Sequence, residues 1–306
     1  MLKFFTSNGT KEFQQTPVPS MGDKIVITSQ EFTKADAAKL VEKFGLSEGI
    51  LNDVFDMNEL PRIESEGHFK YIFLRNFVAR GNKASTYPIL FITNSNIFAC
   101  ISVNKQPTAD LLTFQSTTGK PLTVSKMLTK GITAVTQHYE DFIDQIGSVI
   151  QKTEQRMRSH EATNEDFFAF VNIEGSLNRA KMNLSGLAGV VEKLTASESK
   201  KTEQEKLDDI HLFIKQLLVE ISSHLQSIKS IREAYSTVAS NTLNQRMKIL
   251  TTLTLLVALP NVFYGMFGMN VELPFMREPW AYSAIVLFTA LVIVVVYIIA
   301  KHKKLF

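Results

Sequence analysis

The chain has a single cysteine among its 306 residues. Cys100 can form no internal disulfide, so nothing here is a disulfide-stapled secreted scaffold, and a reducing compartment suits the soluble part. Charge imbalance is equally scarce: 33 Lys and Arg stand against 30 Asp and Glu, a formal +3. No basic stripe invites nucleic acid. Catalytic signatures are missing. There is no Walker loop, no GxGxxG and no nucleophile elbow, so neither nucleotide-driven work nor hydrolysis is indicated. The histidines, His68, His138, His160, His211, His224 and His302, stand apart without metal-ligand spacing. No enzyme and no cofactor is expected. The N-terminus, MLKFFTSNGTKEF, carries too short an apolar run for a signal peptide.

The scarcest thing of all is charge between Ile249 and Met269, where Tyr264 is the one ionisable side chain, and between Trp280 and Ala300, where Tyr282 and Tyr297 are the only ones. Each run is about 20 residues, the length a helix needs to cross ~30 Å of hydrocarbon. Joined by a short loop, they predict a transmembrane helical hairpin; buried helices of a soluble core seldom stay uncharged for so long. Arg246 and Lys248 precede the first run, and Lys301, Lys303 and Lys304 follow the second. Basic flanks stay inside, which predicts both termini in the cytoplasm and the loop outside. Trp280 and Tyr282 then sit at the outer interface.

One stripe of the first span differs from the rest. Asn244, Met247, Thr251, Thr254, Ala258, Asn261, Gly265 and Gly268 step by three and four, with Leu250 at the border. The positions between are mostly Leu, Ile, Val and Phe. Such a stripe serves either close helix packing or the wall of a watery path about a symmetry axis. Asn261 deep in the span costs free energy unless its amide meets a polar partner or water. The second span has no such stripe. A single hairpin encloses no hole, so a pore would need a ring of chains.

Upstream, the chain reads as a mixed α/β domain. Lys24 to Thr28, Phe69 to Val78, Tyr87 to Ile92 and Asn96 to Val103 are strand-like, and Thr33 to Phe44 is a helix ended by Gly45. Helices follow from Thr123 toward Met157, and then over Ile173, Leu177, Leu184, Leu187 and Val191. From Thr202 the apolar positions Leu207, Ile210, Ile214, Leu217, Ile221, Leu225, Ile228, Ile231, Tyr235 and Val238 keep step without Pro or Gly before Pro260. That predicts one helix from the soluble part into the membrane, about 90–100 Å long at 1.5 Å per residue. Pro260 lacks an amide hydrogen and is expected to bend it. The expected order is an α/β domain with αβα layers over 1–125, a helical hairpin over 126–200, a very long stalk helix continuing into the first span over 201–268, a loop over 269–279, a second span over 280–300 and a basic tail over 301–306.

Gly268-Met269-Asn270 closes the first span. Its setting is Asn244-x-x-Met247-Lys248-x-Leu250-Thr251 before the span, Pro260 within it, a short loop, a second span and a basic end. Glu59-Leu60-Pro61-Arg62-Ile63-Glu64 stands ahead of Tyr71-Ile72-Phe73-Leu74-Arg75 in the soluble part. Together these resemble the CorA family of Mg²⁺ channels. The resemblance implies a homopentameric funnel in the inner membrane that passes hydrated Mg²⁺, with Co²⁺ and Ni²⁺ as further cargo, gated by cytoplasmic Mg²⁺ bound between subunits. It implies that Gly268, Met269 and Asn270, with Glu272, form the external mouth and receive the hydrated ion, Asn270 above all. Asn244, Met247, Leu250, Thr251, Thr254, Ala258, Asn261 and Gly265 would line the pore. Lys301, Lys303 and Lys304 match the family's basic tail. The partners implied are further copies of the chain, the bilayer and the ion, with no nucleic acid. The loop departs from the family pattern: Asn270-Val271-Glu272 keeps its first acid, Leu273-Pro274-Phe275 lacks the second, and Arg277 adds a positive charge. Zinc-transporting relatives vary the middle residue of the signature, and Met269 is intact here. A Zn²⁺ transporter on the same scaffold and a non-conducting, membrane-anchored coiled-coil adaptor remain alternatives for the same residues.

Overall fold

The computed structural model describes residues 2–7, 13–17, 19, 23–80, 83–104, 123–158, 164–269 and 278–302. Two compact units divide it, Met1–Lys229 and Ser230–Phe306.

The first unit is built on a seven-stranded sheet. Its strands are β1 (Leu2–Ser7), β2 (Gln14–Thr16), β3 (Lys24–Ser29), β4 (Arg62–Glu66), β5 (Phe69–Arg80), β6 (Lys83–Thr93) and β7 (Ile97–Ser102). The order is β2-β1-β3-β7-β6-β5-β4. All neighbours are antiparallel except β3 and β7, which run parallel with Ile25 opposite Ile97. Asn94 makes the β6–β7 turn: its Oδ1 accepts from the amides of Asn96 and Ile97 at 2.8 and 2.7 Å.

Side chains alternate between the two faces of the sheet. Ile25, Ile27, Tyr71, Phe73, Leu90, Ile92, Ala99 and Ile101 meet one pair of helices, α1 (Lys34–Phe44) and α2 (Glu48–Asp53), through Ala37, Leu40, Phe44, Ile50 and Leu51. Helix α1 starts where Thr33 and Asp36 exchange a capping box, at 3.2 Å from the Asp36 amide and 3.3 Å from the Thr33 amide. It stops at Gly45, whose φ of 67° suits a residue without Cβ.

On the opposite face lie α3 (Val124–Arg158) and α4 (Asn164–Ser197). Helix α3 crosses closely: a Cβ on Gly131 would stand 2.8 Å from Phe91 Cζ. Helix α4 presents Gly186 to the ring of Pro61, where a Cβ would be 3.1 Å from Cγ. The Glu59–Glu64 motif thus has a structural task. Arg62 reaches Asp53, Glu59 and Glu64 at 2.7, 3.0 and 2.9 Å and lies 4.4 Å over the Phe73 ring. It clamps β4 and the end of α2 to the sheet.

Helix α5 (Lys201–Phe267) is helical without a break through Pro260. Within the first unit it buries Leu207, Ile210, Ile214, Leu217, Ile221 and Ile228, the expected stripe. The second unit holds the remainder of α5 and α6 (Ala281–His302). Both helices are long and apolar enough to cross a membrane, with mean hydropathy 1.6 and 2.9 over their best windows. Very little of either window is buried within the chain. Helices in a soluble core would be covered, so these surfaces need lipid or further chains. Strands β1, β2 and β4 and helix α2 were not expected from the sequence. Residues 105–122 and 159–163, which include part of the expected 1–125 domain and the break before α4, lie outside the described residues.

Candidate functional site: a polar stripe on the membrane helix

Every position of the stripe is exposed in the single chain: Asn244, Met247, Leu250, Thr251, Thr254, Ala258, Asn261, Gly265 and Gly268. Coverage falls elsewhere on α5. Thr252 is buried, and Leu256, Leu259, Pro260 and Phe263 are half-buried. On α6, Thr289 and Ala300 are buried, and Ile285, Val292 and Val296 half-buried. Phe263 meets Phe288 edge to face, with centroids 5.4 Å apart. At 100° per residue, the covered positions of α5 centre roughly 165° from the stripe. The polar side of the first span therefore turns away from the second. Packing between the two spans of one chain does not account for it.

The hydroxyls on this stripe are already committed as donors. Thr251 donates to Met247 O at 2.8 Å and Thr254 to Leu250 O at 2.9 Å. Thr252 on the covered side does the same to Lys248 O at 2.9 Å. A hydroxyl has one hydrogen and two lone pairs, so Thr251 and Thr254 offer their surroundings acceptor oxygens. That chemistry suits the outward-pointing hydrogens of a cation's bound water. With no carboxylate on the stripe, nothing there would strip that water by direct coordination or hold a divalent ion fast.

The helix ends where the signature begins. The Gly268 amide donates to Tyr264 O at 2.9 Å, and the Met269 amide to Met266 O at 3.4 Å. Met269 is exposed. Asn270 and Glu272 lie outside the described residues, as do Lys303 and Lys304. Lys301 is exposed in the last turn of α6. At the other end of the stripe, Asn241 and Gln245 join Asn244, Met247, Lys248 and Thr251 around a shallow groove. Asn241 and Gln245 stand off the series, whose alternating step extended one place back from Asn244 reaches Ser240, so periodicity alone would not have found them. Among the described residues no three His, Cys, Asp or Glu side chains are grouped to hold a metal ion.

The family model for CorA-like Mg²⁺ transporter protein matches residues 27–303. The chain belongs to the CorA family. That is a family of membrane transporters of divalent cations, not of enzymes. The cobalt/magnesium transport protein CorA of Methanocaldococcus jannaschii is 22% identical over 273 residues, 86% of each chain. Its complete structure superposes with a TM-score of 0.87 at 18% identity, covering 98% of this chain and 97% of that one. The full-length CmaX protein gives 0.78 at 16% identity over 96% and 97%. The ZntB cytoplasmic domain from Vibrio parahaemolyticus gives 0.64 at 10% identity, over 78% of this chain and 98% of that domain. The sheet-and-helix N-terminal domain, the long stalk helix and the C-terminal apolar helix are thus the CorA arrangement. Membership of this family places the chain in a membrane as part of a homo-oligomeric channel.

Proposed function

We propose that five copies of this chain form a channel in the inner membrane that takes up hydrated Mg²⁺, with Co²⁺ and Ni²⁺ as secondary cargo. The observation that carries this is the exposed stripe of α5, turned away from α6 and bearing acceptor oxygens. In the ring, Asn244, Met247, Leu250, Thr251, Thr254, Ala258, Asn261 and Gly265 face the axis, and α6 shields them from lipid. Mg²⁺ dehydrates reluctantly. A wall of amide and hydroxyl oxygens accepts hydrogen bonds from its water shell and binds it weakly enough for release. Gly268, Met269, Asn270 and Glu272 form the outer mouth, where the Asn270 amides receive the hydrated ion. Met247 and Leu250 make an apolar constriction at the inner end, which closes by dewetting.

The basic flanks support a topology with both termini in the cytoplasm. The driving force is then electrical: an inward-moving divalent ion gains roughly 4.6 kcal/mol per 100 mV, twice the value for one charge. Cytoplasmic Mg²⁺ closes the channel by binding between the soluble domains of neighbouring copies.

The test is flux of Mg²⁺ into liposomes holding the purified chain, with the oligomer sized in the same detergent. Asn270→Ala and Asn261→Leu are each expected to cut flux at least about tenfold, since each alters every copy in the ring. Undiminished flux through both variants would overturn the reading. Zn²⁺ flux in the same vesicles decides the cargo.

A further inference from the structure

A cavity of about 520 Å³ opens in the first unit, far along the chain from the stripe. It lies where the β4–β5 and β6–β7 turns, the start of α3 and the end of α4 come together. Its ionisable lining is Lys24, Lys70, Lys200, His68 and Glu198. Glu198 is the one carboxylate there among the described residues, and its oxygens are occupied. Oε2 accepts from Ser125 Oγ at 2.9 Å, and Oε1 from the amides of Ser199 and Lys200 at 3.0 and 3.1 Å. Lys70 Nζ donates to Ser197 Oγ at 3.2 Å, a neutral partner. Among the described residues lining the cavity, no carboxylate hydrogen bond is formed to Lys24 or Lys70, and the Lys200 charge acts on the occupied Glu198. Thr123, Ser125 and Ser95 add hydroxyls to the same wall. The N-terminal end of the 35-residue α3 lines it too, through Val124 and Ser125, and a helix N-terminus favours negative charge.

We infer that this cavity is a binding site for a phosphate-bearing anion, with Lys24, Lys70 and Lys200 as its charged contacts. Three lysines lining one cavity, with no metal-holding carboxylate set among the described residues, select a polyanion rather than a cation. Lysines act as point charges toward phosphate, and the hydroxyls of Thr123 and Ser95 supply directional donors, the Ser125 hydrogen being spent on Glu198. The volume lies within the range of small-ligand pockets and accommodates a nucleotide as well as a bare di- or triphosphate. The three turns and helix ends that supply the lysines come from segments distant in sequence, so an anion here would tie α3, α4 and the sheet together at one end of the domain. Nothing in this inference depends on the transport reading, and its failure would leave that reading intact.

The experiment is titration calorimetry on the full-length protein in detergent at low salt, with inorganic phosphate, pyrophosphate and ATP as separate probes. Saturable binding of at least one probe is expected, weakening as salt rises. Equal affinity for pyrophosphate and ATP would locate recognition in the phosphates alone, and tighter ATP would add the nucleoside, both within the inference. The triple variant Lys24→Gln, Lys70→Gln, Lys200→Gln should bind on the order of tenfold to a hundredfold more weakly, a few-fold for each exposed charge. Lys152→Gln, on an exposed part of α3 outside the cavity, should bind as the parent does. Absence of saturable binding for all three probes would overturn the inference. So would unchanged binding by a triple variant that keeps the parent's circular dichroism.

Discussion

Replacing Thr254 by Val separates a wet wall from a packing surface. The two side chains have nearly the same shape, and in the parent the hydroxyl hydrogen is already spent on Leu250 O at 2.9 Å. What Val removes from the surroundings is one acceptor oxygen per copy. If the stripe only packs against other helices, that loss costs little, because a methyl fills the same space. If it faces hydrated ions, each copy loses a hydrogen bond to water worth net about 0.5 kcal/mol at the low end. In the proposed ring of five copies this adds up to about 2.5 kcal/mol on passage, and flux should fall roughly 70-fold. Thr252→Val is the matched control. Its hydroxyl makes the same bond to its own helix, 2.9 Å to Lys248 O, but the residue is buried on the covered side. The assay is dye-reported Mg²⁺ uptake by liposomes, with Thr254→Ser as the variant that keeps the oxygen. Expected is a large loss for Thr254→Val, near-parent flux for Thr254→Ser, and near-parent flux for Thr252→Val. Parent-like flux through an intact Thr254→Val oligomer would refute the reasoning, as would equal losses at 252 and 254.

Two further outcomes follow from the first unit. Burial pushes the Cys100 thiol up to about 12, so it stays protonated and shielded; maleimide at neutral pH should leave the folded protein unlabelled and modify it fully after denaturation, and stoichiometric native labelling would contradict the burial. At Glu198, burial pushes the carboxyl up, but the Lys200 amide, the Ser125 hydroxyl, the Ser199 amide and the Lys200 charge outweigh it and hold it below the ordinary 4.5. A depressed carboxyl stabilises the fold fully above its unfolded value and loses that contribution as pH falls through the folded one. The melting temperature of the parent should therefore exceed that of Glu198→Gln above the ordinary 4.5 and converge with it as pH falls through the lowered folded value; a gap that stays constant on acidification would count against the assignment.

The membrane spans were legible in the sequence because an uncharged run of about 20 residues has few other uses. The long helix α5 was legible because its apolar step is unbroken and nothing before Pro260 interrupts it. Helix α1 announced both of its ends, with Thr33 and Asp36 at one and Gly45 at the other. Strand β1, in contrast, gains its identity from pairing with β3 across a chain gap, Phe4 opposite Ile27, and local pattern does not carry that. Strand β4, Arg62–Glu66, reads as a charged segment, and only its register with β5 and the Arg62 clamp make it a strand. The Glu59–Glu64 motif was visible as letters; that Pro61 seats against Gly186 was not.

What the sequence determined by itself was the stripe: which residue types recur, at what step, and that no acid lies among them. Whether that stripe faced its own hairpin partner or stood clear of it depended on the rotation of α5 about its axis. That rotation is set by which side chains bury against α6, Phe263 on Phe288 among them. Period is a property of one chain segment, whereas facing is a relation between two, and so only the tertiary structure could decide it.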